Sequence, residues 1–270
     1  MNDFNHIPSD GLNLAAKSIG QGQPIIWAHG LTGTHRSGTR QFSYLADRFQ
    51  IIVFDQRGHW RSTPITDPAL YDAERMAADI GVVMDAFGIE HAIVGGESMG
   101  AATALLFALA HPERVEALLL STPAFGDAPH PEQALLKAQG DLIASEGVDT
   151  FLTLSAEQQR TLGWPEEAIE YLAEVRRLHD PASLVTALQT VPDWVLFPDL
   201  SALATLERPT MVTARQNDPV HPANLAERMA GAFPNASLAY TGSIPDFLLH
   251  PETSGRLFEP FLDSLPIQGE

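Results

Sequence analysis

The stretch His91-Ala92-Ile93-Val94-Gly95-Gly96-Glu97-Ser98-Met99-Gly100-Ala101-Ala102-Thr103-Ala104-Leu105-Leu106 reads as a strand, a tight turn and a helix. Its centre, Gly96-Glu97-Ser98-Met99-Gly100, has the Gly-x-Ser-x-Gly pattern. Glycines on both sides of the serine let the backbone pass neighbouring elements without a Cβ clash. The serine is then presented on a sharp bend as a nucleophile.

Working outward, the preceding apolar runs are Ile25-Ile26-Trp27-Ala28 and Phe49 to Phe54, and the following ones are Val115 to Leu120, Pro209 to Ala214 and Ser237 to Tyr240. Short continuous apolar runs are expected of parallel strands covered on both faces. Leu12 to Ser18 alternates weakly before the turn cluster Gly20-Gln21-Gly22-Gln23-Pro24, which predicts a β-hairpin into the strand at Ile25. Between the strands, Thr39 to Arg48 fits a helix. Met76, Ile80, Val83, Met84 and Phe87 form an amphipathic helical stripe. Leu225, Met229 and Phe233 form another, and a closing helix carries Leu257, Phe258, Phe261, Leu262 and Leu265. Strands alternating with helices predict an α/β fold with a mostly parallel central sheet and helices on both faces.

Between Pro123 and Glu207 no strand-like run occurs. Ile169, Leu172, Val175 and Leu178 give one helical stripe there, and Leu184, Leu188 and Val191 another. The expected organisation is a core of residues 1–122 and 208–270 with a helical cap of residues 123–207 inserted over the strand ends. Trp164, Trp194 and Phe197 are candidates for the underside of that cap, burial in its own core being the competing role.

Composition narrows the partners. The 270 residues include 34 acidic and 16 basic side chains, a net charge of −18, which disfavours nucleic acid and anionic membranes. No apolar run approaches the roughly 18 residues that span a bilayer, and the N-terminus lacks a basic region followed by an apolar one, so a cytoplasmic protein is expected. There is no cysteine, and the ten histidines are scattered without a His-x-x-x-His pair. Neither a metal nor a cofactor is expected. A small-molecule acyl substrate is the expected partner, and a homo-oligomer is compatible with the sequence.

A serine hydroxyl needs a base, a group that orients the base, and donors for an oxyanion. Leu31, after the His29-Gly30 turn, and Met99, after Ser98, offer backbone N–H groups for the last of these. Asp218, at the end of a late strand, is the candidate orienting carboxylate, a turn-forming Asp-Pro being its alternative role. Gly30, Trp60, Trp164 and Trp194 are candidate substrate contacts.

Taken together, His29-Gly30 with Gly33, Asp55-Gln56-Arg57-Gly58-His59, Gly96-Glu97-Ser98-Met99-Gly100, His111-Pro112-Glu113-Arg114-Val115, Asp218-Pro219-Val220 and Pro251-Glu252 resemble the α/β-hydrolases of the esterase, lactonase and cofactor-free perhydrolase group over almost the whole chain. The resemblance implies a serine hydrolase working through an acyl-enzyme on an ester, lactone or related substrate. Two positions depart from it. The family usually has a histidine after the glycine that follows the last strand, but Gly242 is followed by Ser243. The family also has a glycine where this chain has Trp60.

Three readings of Ser243 stand side by side. His250 could swing in as the base. The chain could be an inactivated or redesigned variant, in which case returning histidine to 243 is expected to raise ester hydrolysis by orders of magnitude. Or the scaffold could serve binding, or a lyase or cyclase reaction. His221 is a weaker substitute base, expected on a loop surface.

Overall fold

A computed structural model describes residues 4–266. Eight strands form one sheet: β1 (Asn5–Ser9), β2 (Leu12–Ile19), β3 (Gln23–Ala28), β4 (Phe49–Asp55), β5 (Ala92–Glu97), β6 (Val115–Ser121), β7 (Thr210–Arg215) and β8 (Ala236–Thr241). Their order is β1-β2-β4-β3-β5-β6-β7-β8. All pairings from β4 to β8 are parallel, whereas β2 runs antiparallel to both β1 and β4.

The expected hairpin between Leu12–Ser18 and the Ile25 strand does not form, because β2 turns at Asp10-Gly11 to pair with β1 and lies against β4 on its other edge. β3, apolar from Pro24 to Ala28, is flanked on both sides by the parallel strands β4 and β5. A continuous apolar run belongs at the sheet centre, and a weakly alternating one farther out.

Alternate side chains of the central strands feed two cores, as the period of two requires. Ile26, Ala28, Ile52, Phe54, Val94, Leu118 and Val212 pack with α2 (Ala73–Ala86), α3 (Met99–Ala110) and α8 (Ala223–Ala232). On the opposite face, Ile25, Trp27, Ile51, Val53, Ile93 and Leu119 pack with Phe42 of α1 (His35–Phe42) and with Phe258 and Leu262 near the C-terminus. The closing segment is three short helices, α9 (Ile244–Leu249), α10 (Pro251–Arg256) and α11 (Glu259–Ser264).

Between β6 and β7 lie α4 (Gln133–Glu146), α5 (Val148–Thr161), α6 (Glu166–Arg177) and α7 (Pro181–Thr190). Their apolar residues Ile143, Phe151, Leu152, Leu184 and Leu188 form a third core, which also holds Leu31 and Met99. The helical layer is thereby packed directly onto the loops that follow β3 and β5. From Phe197 onward the chain returns to the sheet: Phe197, Leu200, Leu203 and Leu206 pack in the first core with α8. Phe197 therefore lies under the sheet helices and not beneath the cap. Among the described residues, no helix is long and apolar enough to cross a membrane.

Candidate active site

The turn between β5 and α3 holds Ser98 at φ 54° and ψ −112°, a strained conformation for a residue with a side chain. Its glycines are required by contact. A Cβ on Gly100 would sit 2.1 Å from the Ala28 carbonyl oxygen, and one on Gly96 would sit 2.3 Å from the Gly100 backbone. The helix thus starts against the end of β3, and Ser98 is pushed to the head of the sheet, 8% exposed.

Met99 is the first residue of α3, so its N–H has no carbonyl one turn back to bond. Leu31 is positioned from the other side. The Gly30 carbonyl accepts from the Gly33 N–H at 2.9 Å and from His29 Nδ1 at 2.8 Å. Because that peptide is trans, fixing its carbonyl also fixes the opposed Leu31 N–H. His29 Nε2 accepts from the Gln56 N–H at 3.0 Å, which assigns the ring proton to Nδ1. Burial and the neighbouring His59 push His29 well below the ordinary histidine range, so the ring stays neutral as a clamp.

Asp218 follows β7. Its Oδ1 accepts the N–H groups of Val220 at 3.0 Å and His221 at 3.1 Å, closing an Asx turn. Its Oδ2 accepts from Arg215 Nη1 at 3.0 Å and from His221 Nδ1 at 2.8 Å. Burial alone would raise this carboxyl, but the His221 bond and charge and then Arg215 outweigh it and hold Asp218 well below the usual carboxylate range. A carboxylate lowered on folding adds stability that is complete above its unfolded value of 3.8 and is lost as pH falls toward the folded value. The melting temperature should therefore drop more for Asp218→Asn at neutral pH than near pH 2.5, as a pair of thermal melts will show.

His221 is not the loop-surface residue expected. Its side chain is 13% exposed, and with Nδ1 on Asp218 its Nε2 makes no hydrogen bond among the described residues. His130 supports the same turn: its Nδ1 accepts from the Glu132 N–H at 3.0 Å and its ring meets the Val220 backbone. Burial pushes His130 down to about 4, leaving it neutral.

The structure takes Ser243 and His250 elsewhere. Ser243 caps α9: it accepts from the Asp246 N–H at 3.3 Å, and its hydroxyl and backbone N–H both donate to Asp246 Oδ2, at 2.6 Å and 3.0 Å. Such a capping box satisfies the open end of a helix and is worth about 1 kcal/mol. His250, the expected substitute base, ends α9 at the surface. Its side chain is 66% exposed and stands 3.9 Å from Glu252. Helix α9 carries it away from Ser98, and it does not border the cavity described below.

A family model described as the alpha/beta hydrolase fold matches residues 23–246. The chain belongs to the α/β-hydrolase family. Among sequence relatives, the provisionally named carbamate hydrolase RutD of Caulobacter sp. strain K31 is 30% identical over 227 residues, 80% of this chain and 81% of the relative. Among solved structures, an esterase from Thermogutta terrifontis superposes with a TM-score of 0.80 at 24% identity, covering 97% of this chain and 98% of that one. Est816, described as an N-acyl homoserine lactone degrading enzyme, gives a TM-score of 0.76 at 23% identity over 95% and 100% of the two chains. These likenesses establish the fold.

Within this α/β hydrolase a cavity of about 610 Å³ lies between the sheet head and the cap. Gly30, Leu31, Ser98, Asp218, His221 and Trp164 all border it, so the expected contacts at Gly30 and Trp164 are brought together with Ser98. Two other expected contacts are not. Trp194 is buried against Phe125 with rings 5.4 Å apart, its indole N–H donating to the Tyr71 carbonyl at 3.0 Å, in the cap core. Trp60 stacks on His35 at 5.0 Å and 2° and lies beside Arg36 and Arg61, outside the cavity lining. Its φ of 37° is left-handed backbone, which costs more for a residue with a Cβ than for glycine.

The hydrolase site also contains groups the sequence reading passed over. Arg215, whose side chain is 4% exposed, runs from Asp218 Oδ2 to the Gly242 carbonyl, to which its Nε donates at 2.9 Å. It thereby ties Asp218 to the backbone of the residue that precedes Ser243. Glu97 borders the same cavity, and burial raises its carboxyl against the pull of Arg215. An Asp-x-x-His spacing at the end of a strand was the available signal for His221, because an Asx turn brings the third residue back over the carboxylate.

Proposed function

We propose that this chain hydrolyses a small to medium ester, lactone or carbamate through an acyl-enzyme on Ser98, with His221 as general base and Asp218 as the carboxylate that orients it. The observation that carries the reading is the Asp218–His221 bond of 2.8 Å at the rim of the cavity that also holds Ser98. Asp218 keeps the ring proton on Nδ1, and the lone pair of Nε2 is then free for the serine proton. Ser98 Oγ attacks the carbonyl carbon as its proton passes to Nε2. The Leu31 and Met99 N–H groups receive the oxyanion. The protonated ring returns the proton to the departing alcohol or amine, and water, activated by the same nitrogen, releases the acid. The reaction needs no cofactor. The carbonyl compounds in the relatives' names, a carbamate, an ester and an acyl lactone, share this chemistry and support the substrate class.

No hydrogen bond joins Ser98 to His221 in the structure. In ligand-free sites such bonds are commonly long and tighten when substrate binds. The same observation favours a second reading, binding or a lyase or cyclase reaction without an acyl-enzyme. A fluorophosphonate probe separates the two. It should label Ser98 and stop hydrolysis of p-nitrophenyl acetate, and Ser98→Ala should abolish both. An unlabelled serine in folded protein would leave the second reading standing.

A further inference from the structure

The cap side of the cavity is built from polar side chains. Ser155 and Gln159 of α5 and Arg176 of α6 border it together with Gln139 of α4. Arg176 Nη1 donates to Ser155 Oγ at 3.0 Å, and Gln159 Nε2 approaches the same oxygen at 3.4 Å. With two donors on its oxygen, the Ser155 hydroxyl keeps its own proton to give. The guanidinium lies over the Phe151 ring at 5.1 Å, and its Nε is buried without a partner. Among the described residues Arg176 has no ion-pair partner, whereas the other arginines of the lining are engaged: Arg215 on Asp218, and Arg40 on the Leu248 and Leu249 carbonyls.

This is an unusual use of charge. A chain of net charge −18 offers an acid to most of its arginines, yet leaves this one without a counter-ion where a ligand would sit. Burial pushes Arg176 down to about 10, so it remains a cation at neutral pH. A cation and a hydroxyl donor together ask for an acceptor that carries negative charge.

We infer that Arg176 and Ser155 form a subsite for a carboxylate on the substrate, so that the carbonyl compound processed at Ser98 carries an acidic group at the end held by the cap. The inference rests on the proposed reaction for its placement, but its recognition chemistry can be measured apart from turnover.

The test uses the full chain and a series of straight-chain carboxylates, butanoate to decanoate, against the amides of the same length, with affinity read by titration calorimetry. The best carboxylate should bind at least about tenfold tighter than its amide, as a charge-assisted hydrogen bond to a desolvated cation allows. Arg176→Gln should bring that ratio to near one, and Arg176→Lys should keep part of it. Amides that bind as well as carboxylates, or a preference that survives Arg176→Gln in protein with a normal thermal melt, would overturn the subsite. The readout in parallel is the ratio of kcat/KM for mono-p-nitrophenyl glutarate to that for p-nitrophenyl pentanoate, which Arg176→Gln should lower through KM. If neither ester is turned over while the binding preference holds, the hydrolytic reading fails and the subsite stands.

Discussion

His221→Ala is expected to lower kcat/KM for p-nitrophenyl acetate by about 10²- to 10⁴-fold, the usual contribution of a general base. The loss should fall on kcat, because removing the proton acceptor affects the transition state and not the bound ester. Added imidazole should restore part of the rate, since the cavity left beside Asp218 would match the missing ring. The substitution also takes one donor from a buried carboxylate, so the thermal melt must be followed alongside, with His221→Gln as the variant that keeps a donor there. A rate unchanged in His221→Ala would remove His221 from the mechanism. His250→Ala is the contrasting control: its exposed ring beside Glu252 should be dispensable.

The second result concerns where a base can be placed. In a His221→Ala background, Ser243→His alone should recover almost nothing, whereas Ser243→His combined with Arg215→Ala should recover about 10²-fold. On the variant reading of Ser243, by contrast, histidine at 243 is expected to suffice without any change at Arg215. Arg215 bonds both the Gly242 carbonyl at 2.9 Å and Asp218 Oδ2 at 3.0 Å, so an imidazole from 243 meets a guanidinium before it meets a carboxylate. The His221→Ala background already frees an acceptor on Asp218 Oδ2, so what Arg215→Ala adds is the removal of the guanidinium that bridges Asp218 and the Gly242 carbonyl. Equal recovery with and without Arg215→Ala would show that the arginine is no obstacle.

Much of this was legible from residues. The Gly-x-Ser-x-Gly turn, the apolar strands and the stripes of α2, α6 and α8 are local signals, and each corresponds to an observed element. Asp218 was legible because a carboxylate at a strand end in this fold has few other uses. His221 reads from sequence as a loop-surface residue, because nothing local to it shows that the Asx turn at Asp218 folds the third residue back over the carboxylate. Arg215 left no signal at all, since only the spatial approach of β7 and the loop after β8 gives it a second partner. The helices α4 and α5 escaped as individual stripes for a related reason. Their inward side faces a cavity and carries Gln139, Ser155 and Gln159, which dilute the apolar period a packed helix would show. The failed hairpin at β2 and β3 was a choice of partner, and pairing between distant strands is not written in the turn between near ones.

The four donors around Asp218 have a further meaning for lineage. A carboxylate offers about four acceptor positions, and here Val220, Arg215 and His221, the last through both backbone and ring, occupy them all. A newcomer can enter only when an occupant leaves. Arginine at 215, histidine at 221 and a non-basic residue at 243 should therefore be inherited as a set, and chains carrying one of the three alone should be rare intermediates between two working arrangements.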